Sequence, residues 1–233
     1  MAGRSPHQLP SGRHGLSRSE VSENQRERLL SAVVQVARRT GYSGLTIRDV
    51  IAVAGVSRKT FYELFDDKDD VFLAAYDHVV GRLAEGVTDA TAKGRTWPEQ
   101  VSLGLETFLD RLASDPAVAH LCIVEVLVAG PPALTRRAAA LDAFRTFLEP
   151  GYEQAPEGVE PPVLAAETAI GAVYEVIYRY VLQNRTEDLP SLHPDLLYIV
   201  LLPFLGLRRA GAEAERARSR ATDRAGADGS VTD

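Results

Sequence analysis

The 233-residue sequence contains one cysteine, Cys122, which has no partner for an intramolecular disulfide. This excludes the disulfide-stapled folds of small secreted proteins. Long apolar runs are lacking too: the longest, 196–207, is interrupted by Pro203 and is shorter than the about 20 residues that a transmembrane helix needs. Residues 1–20 have no apolar core of the signal-peptide kind. We therefore expect a soluble, cytoplasmic protein.

Sequence patterns of common enzyme sites are missing as well. The five histidines are scattered without metal-ligand spacing, and there is no nucleophile elbow, Walker loop or dinucleotide fingerprint. Cys122 lies in an apolar run and is expected to be buried and unreactive. The sequence therefore predicts neither a catalytic site nor a resident metal or cofactor.

The charges are distributed unevenly, although the net charge is only −6. Residues 1–68 contain 11 basic and 7 acidic side chains, whereas residues 69–233 contain 15 basic and 25 acidic ones. A basic end on an acidic body is typical of a protein that presents that end to a polyanion. An ordinary fluctuation of surface charge would give the same counts. Whether the basic end binds a polyanion is therefore judged from the structural elements that carry the charges.

Cap residues and helical periodicity predict an all-α fold, because apolar positions recur at helical spacing and never alternate as in a strand. A flexible basic arm at 1–21 is expected to precede a three-helix, helix-turn-helix DNA-binding domain at 22–68. A helical-bundle domain for effector binding and dimerisation follows at 69–207, and residues 208–233 are predicted to form a disordered tail. The predicted helices have the bounds 22–41, 47–54, 58–65, from 68 onward, 96–114, 115–128, 133–148, 162–183 and 194–205.

The second and third predicted helices are short, and three residues join them, which is a helix-turn-helix spacing. Thr46 and Ser57 are typical N-cap residues, as is Asp67 before the fourth helix, and Gly55 permits the positive φ that so tight a turn requires. Apolar residues of the second helix form an inward stripe, so residues 57–62 at the start of the third helix face outward. The early residues of an inserted helix read base edges, and its free N–H groups favour phosphate.

Residues 41–68, GYSGLTIRDVIAVAGVSRKTFYELFDDK, resemble the tetracycline-repressor (TetR) family of regulators. The resemblance is strong over residues 24–84. Beyond these residues only the architecture is similar. It implies a homodimeric regulator, commonly a repressor, that binds palindromic double-stranded operator DNA and is released by a small-molecule effector. The ordered residues that carry it are Thr46, Gly55-Val56-Ser57, Phe61-Tyr62, Phe65 and Lys68.

Eight residues of this segment are candidates for DNA contact. Arg58, Lys59 and Thr60 are expected to read bases, because Arg or Lys donates to guanine O6 and N7 and Thr contacts a thymine methyl. The alternatives are a solvated helix face for Arg58 and Lys59, packing within the domain for Tyr62, and a carboxylate partner, Asp69 or Asp70, for Lys68. The residues expected to hold phosphates, as the resemblance also implies, are Thr46, Arg48, Ser57, Tyr62 and Lys68.

Three residues depart from the usual family pattern. Lys59 stands where a small residue is common, and Glu63-Leu64 replaces a polar or basic pair. Phosphates would repel Glu63, although a carboxylate can accept from cytosine N4. The operator sequence therefore does not follow by analogy.

The helices predicted at 162–183 and 194–205 are candidates for the dimer interface. The second is apolar nearly all round, and such a helix must be covered on several sides. The resemblance implies a four-helix bundle with a second copy, with Val200 on the pairing face. Burial inside one chain is the alternative.

Polar and aromatic residues within apolar helices suggest an effector pocket. An unpaired buried carboxylate is costly, so Glu125 is a candidate ligand contact. Such a pocket would be mixed aromatic and acidic, suited to an apolar or cationic ligand, although each residue could instead be a partnered core residue. The candidates are Trp97, Phe108, His120, Glu125, Phe144, Tyr174 and Tyr178.

Two other functions remain open from the residues alone. One is an enzyme, and the other is a helical adaptor that binds protein through its apolar last helix. The basic helix-turn-helix argues against both, and a mobility-shift assay distinguishes them.

Overall fold

A computed structural model describes residues 17–229, and every regular element in that range is helical, as predicted. Two short 3₁₀ segments, Glu125–Leu127 and Thr186–Leu192, join longer helices. The predicted arm lies outside the described residues over 1–16. The helices are α1 Arg18–Gly44, α2 Ile47–Ala54, α3 Arg58–Leu64, α4 Lys68–Thr91, α5 Trp97–Ser114, α6 Pro116–Ile123, α7 Pro131–Thr146, α8 Pro150–Glu153, α9 Ala165–Leu182 and α10 His193–Gly229.

The first helix begins earlier than predicted. Ser17, not Ser22, is the N-cap: its side chain accepts from the Glu20 backbone N–H at 3.2 Å, and the Glu20 carboxylate accepts from the Ser17 N–H at 2.6 Å. This complete capping box extends the helix over part of the predicted arm. Gly41 breaks the helix as predicted, with φ of +68°.

The predicted caps of α2, α3 and α4 are confirmed. Thr46 accepts from the backbone N–H of Asp49, Ser57 from that of Thr60, and Asp67 from that of Asp70. Such caps satisfy N–H groups that lack a partner within the helix. These caps fix where α2, α3 and α4 begin. The N-terminal head consists of α1, α2 and α3.

Helix α4 connects the head to the body, where it packs along α5 and also contacts α1. Helix α6 lies between the head and the body, because it packs on both α1 and α9. Large side chains that are fully buried hold the body together. They include Leu109, Leu112, Leu121, Ile177, Leu197, Leu201 and Phe204.

The chain after residue 207 differs from the predicted disordered tail. Gly206, with φ of +72°, bends α10, and the helix then continues to Gly229. Ala210, Ala214 and Ala217 are buried along one face of this segment. The sequence analysis missed it because small alanines, which allow close helix packing, carry the contact instead of large apolar residues.

By length and composition, one helical segment, Thr186–Asp223, could cross a membrane, and so could the sharply bent pair 116–153 if it acted as one span. Half of the most apolar window of Thr186–Asp223 is buried inside the protein. A core helix of a soluble protein has the same properties.

Candidate DNA-binding surface and effector cavity

The turn between α2 and α3 depends on two residues. Gly55 has φ of +62°, in the left-handed region that favours glycine. Arg28 of α1 donates from Nη2 to the carbonyl oxygens of Ala54 and Gly55. A Cβ at position 55 would lie 2.7 Å from Arg28 Nη2, so only glycine fits both the conformation and the contact. The sequence analysis missed Arg28 because a partner 27 residues away leaves no local signal.

A small apolar core orients α3. Phe61 is fully buried and Phe65 nearly so, and both belong to the same buried cluster as Val50 of α2. Arg58 and Lys59 consequently point to solvent, while Thr60 is half-buried. The first turn of α3 therefore presents two cations and a hydroxyl on one exposed surface.

These outward side chains contact one another. The Arg58 guanidinium lies 5.6 Å from the centroid of the Tyr62 ring, and Thr60 Oγ1 lies 2.9 Å from Ser57 Oγ. The Lys59 ammonium pairs with Glu63 at 3.7 Å, and the two side chains are 86% and 57% exposed. So exposed a pair is weak, and Lys59 can exchange Glu63 for DNA at little cost.

Tyr62 packs within the head and is also accessible to solvent. Its ring meets Phe61 edge to face at 5.3 Å, yet the residue is 47% exposed. Thr46 and Arg48, at the start of α2, are also exposed. The Thr46 hydroxyl donates to the Asp49 carboxylate at 2.6 Å. These polar groups border the exposed surface of α3.

Lys68, at the start of α4, is held by Tyr42. Its ammonium lies 4.1 Å from the centroid of the Tyr42 ring and donates to the Tyr42 carbonyl oxygen at 3.4 Å. Asp69 is engaged by the Tyr42 hydroxyl, which donates to it at 2.5 Å. Burial and this hydrogen bond raise the pKa of Tyr42 to about 12. Within the protein Lys68 therefore contacts Tyr42, and not Asp69 or Asp70, the carboxylates considered above as the alternative to DNA.

A cavity with mostly apolar walls lies in the body between α4, α5, α6, α7, α9 and α10. The space between its side chains amounts to about 1020 Å³, part of it open to solvent. Three of the predicted effector residues, Phe108, Phe144 and Tyr174, line it, with the rings of Phe108 and Phe144 5.1 Å apart. Its apolar lining suits an apolar ligand.

The other four predicted effector residues, Trp97, His120, Glu125 and Tyr178, do not line this cavity. Trp97 is a core residue, whose indole N–H donates to the Phe147 carbonyl at 3.0 Å and whose ring packs against Phe204. The expectation of an acidic pocket is corrected accordingly, because no carboxylate is among the residues that line the cavity.

Glu125 instead joins the body to the head. It is 6% exposed, and its carboxylate accepts from the backbone N–H of Tyr42, just after the break in α1. His120 Nδ1 lies 3.2 Å from Glu125 Oε1, and burial is the main cause that lowers the pKa of His120. Glu125 is therefore a partnered residue of the head–body contact.

Arg137 of α7 is the cavity residue that the sequence analysis missed. Its guanidinium stacks over the Tyr174 ring at 4.1 Å, and its buried Nε has no hydrogen-bond partner. The local sequence, Thr135-Arg136-Arg137, resembles an ordinary solvated helix face, and only Ala133 of α7 is buried. That one arginine among three polar residues turns its Nε inward has no local sequence signal.

Several exposed apolar side chains lie on α9 and α10 or beside their ends. Val200, predicted to lie on the pairing face, instead is buried and lines the cavity. The neighbouring Ile199 is 42% exposed. Other exposed apolar residues in this part of the chain are Val163, Leu164, Leu182 and Leu207.

Comparison with known proteins gives both sequence and family matches. The sequence profile described as "Bacterial regulatory proteins, tetR family" matches residues 29–75. The fatty acid metabolism regulator protein of Bacillus subtilis is 22% identical over 181 residues, 74% of this chain and 92% of that protein. The HTH-type transcriptional regulator EthR of Mycolicibacterium smegmatis is 29% identical over 113 residues, 48% of this chain and 51% of EthR.

Solved structures share the whole architecture. The fatty acid degradation regulator FadR of Bacillus halodurans superposes with a TM-score of 0.69 at 21% identity, covering 79% of this chain and 96% of FadR. FadR of Bacillus subtilis, solved in complex with stearoyl-CoA, gives a TM-score of 0.65 at 20% identity, covering 78% of this chain and 99% of that one. At these identities the likeness shows the fold.

Proposed function

Since the chain is a DNA-binding transcriptional regulator of the TetR family, we propose that it represses transcription from a palindromic operator and releases that operator when an apolar effector fills the body cavity. The observation that carries this proposal is that one helix, α4, extends from the DNA-binding surface to the body cavity. Its first residue, Lys68, borders the DNA-binding surface, and Tyr76, Leu83 and Val87 further along it line the cavity.

A ligand that changes the position of α4 would also move the head. Two recognition helices in a dimer must match half-sites about one DNA turn apart, so a small shift of each head weakens binding. The ligand must prefer the released conformation, because equal affinity for both conformations shifts nothing.

We also propose which surfaces bind DNA and the second subunit. Arg58, Lys59 and Thr60 read bases, and the phosphate contacts come from Thr46, Arg48, Ser57, Tyr62 and Lys68. The exposed apolar residues of α9 and α10 support pairing of these two helices with those of a second copy. As a regulator of transcription, such a dimer would act in the cytoplasm.

Base reading predicts a change of sequence preference in two variants. Arg58→Ala and Lys59→Ala should each relax the preference at one base position, since a lost bidentate contact to guanine costs about 1–3 kcal/mol. Selection from randomised operator DNA measures this. If both variants retain the wild-type preference at every position, these residues do not read bases.

Phosphate binding by Lys68 predicts a change of salt dependence instead. Lys68→Ala should weaken binding to operator and random DNA by similar factors and lower the salt slope by about one unit per subunit. Tyr42 holds the ammonium at the edge of the DNA-binding surface, which supports this role. Lys93→Ala, at an exposed site just after α4, is the matched control. An unchanged slope for Lys68→Ala would contradict the assignment.

The effector is proposed to contain a long apolar chain. The walls of the cavity are almost entirely apolar, and the structurally similar FadR of Bacillus subtilis was solved with stearoyl-CoA. Operator selected from random DNA, mixed with the protein and titrated with palmitoyl-CoA or hexadecanol, tests the function as a whole. Release of DNA by either compound supports it. Failure of the protein to select any DNA sequence would refute it.

A further inference from the structure

The cavity contains a charged group that the rest of its lining does not match. Among its described lining residues, Arg137 alone carries a charge, and the others are apolar or neutral. Arg137 is half-buried, and its Nε is fully buried without a hydrogen-bond partner. Leaving such a donor without an acceptor costs about 1–3 kcal/mol, so an acceptor supplied by a ligand would be favourable.

The guanidinium is held in position from one side. It stacks over the ring of Tyr174 at 4.1 Å, and the Tyr174 hydroxyl donates to the carbonyl oxygen of Ile123 at 2.7 Å. Both Tyr174 and Ile123 belong to the cavity wall. Arg137 is thus placed before any ligand arrives, which reduces the entropy lost on binding.

The cavity wall itself supplies no anion for Arg137. Burial raises the pKa of the Cys122 thiol to about 12, and it also raises the pKa of the Tyr76 and Tyr174 hydroxyls. These three groups are therefore neutral at physiological pH. A negative charge at this site must come with the ligand.

We propose that Arg137 binds the oxyanion end of an amphiphilic effector, a carboxylate or a phosphate, whose apolar chain fills the space between Phe108, Phe144 and Ile177. The planar guanidinium matches both oxyanions, because its parallel N–H groups donate to two oxygens at once. This inference rests on the proposed effector function and names the ligand class of the same cavity.

Three probes with the same apolar chain test the inference: palmitate, palmitoyl-CoA and hexadecanol. Binding is measured by calorimetry on the full-length protein. The wild type should bind at least one of the two anionic probes about 10- to 100-fold more tightly than hexadecanol, as expected for a charge-assisted hydrogen bond. Arg137→Met should remove this preference and leave hexadecanol affinity within about two-fold, since methionine retains an apolar stem.

Arg136→Met is the matched control, because the neighbouring Arg136 pairs with Asp77 rather than lining the cavity. It should retain the wild-type preference. Arg137→Lys, which keeps the charge without the planar fork, should retain part of it. The anion whose affinity Arg137→Met lowers more, carboxylate or phosphate, is the one that Arg137 binds.

Different failures have different meanings. If the wild type binds hexadecanol and both anionic probes equally, or if Arg137→Met keeps the preference, the role of Arg137 is refuted while the effector cavity stands. If none of the three probes binds, the proposed effector function itself fails. Unchanged operator binding by ligand-free Arg137→Met shows that the variant is folded. If the variant loses operator binding and also binds hexadecanol more weakly, a role of Arg137 limited to the anion is refuted.

Discussion

Ile199→Asp should give a monomer that binds its operator at least about 100-fold more weakly than the wild type, since linking two binding sites raises affinity by factors of this order. Ile199 is 42% exposed on α10, among the other exposed apolar side chains of α9 and α10. A carboxylate placed there would have to lose its water when two copies pair, and that desolvation is costly. Light scattering gives the mass, and mobility shift gives the operator affinity.

The matched control is Leu134→Asp, because Leu134 has the same exposure of 42% but belongs to α7, which is not one of the two helices proposed to pair. It should remain dimeric. Val200→Asp would be misleading, since Val200 is buried and a charge there would destabilise the fold. A wild-type mass for Ile199→Asp at micromolar concentration would place the interface elsewhere.

Glu125→Ala should largely uncouple the cavity from the head. Cys122 and Ile123, just before Glu125, line the cavity, and the Glu125 carboxylate accepts from the Tyr42 backbone N–H in the head. Tyr42 in turn holds Lys68 at the start of α4. A typical coupling free energy of about 1–3 kcal/mol between effector and operator changes operator affinity about 5- to 150-fold. The variant should lose most of this effector-induced change. Operator affinity with and without palmitoyl-CoA measures it.

The same substitution should lower the free energy of unfolding by about 1–3 kcal/mol, because it leaves a buried N–H without an acceptor. Glu125→Gln is the control, since its amide oxygen can still accept from Tyr42, and it should retain both stability and coupling. Full effector response in a stable Glu125→Ala protein would contradict the role of this contact.

The parts of the fold that the sequence predicted well depend on neighbours in the chain. The caps at Thr46, Ser57 and Asp67 act on backbone groups three residues away, and the positive φ of Gly55 is a property of one residue. Such signals are complete within a few residues, so the head could be predicted almost element by element.

The positions that could not be predicted depend on contacts between distant segments. Glu125 meets Tyr42 across 83 residues, and its local apolar surroundings indicated a pocket rather than a head–body contact. Arg137 and Val200 turn inward only because α7 and α10 pack over the same cavity. Periodicity gives the buried stripe of a helix but not which neighbour covers it, and the cavity is defined by that neighbour.

The final segment of α10 has a consequence for how the chain folds during synthesis. Arg220 donates to Ser102 Oγ across 118 residues, so α10 covers part of α5, a helix that is synthesised much earlier. Contacts so distant in sequence form late. The head and α4 can therefore fold first, while α5 stays uncovered along this face until the segment around Arg220 has been synthesised.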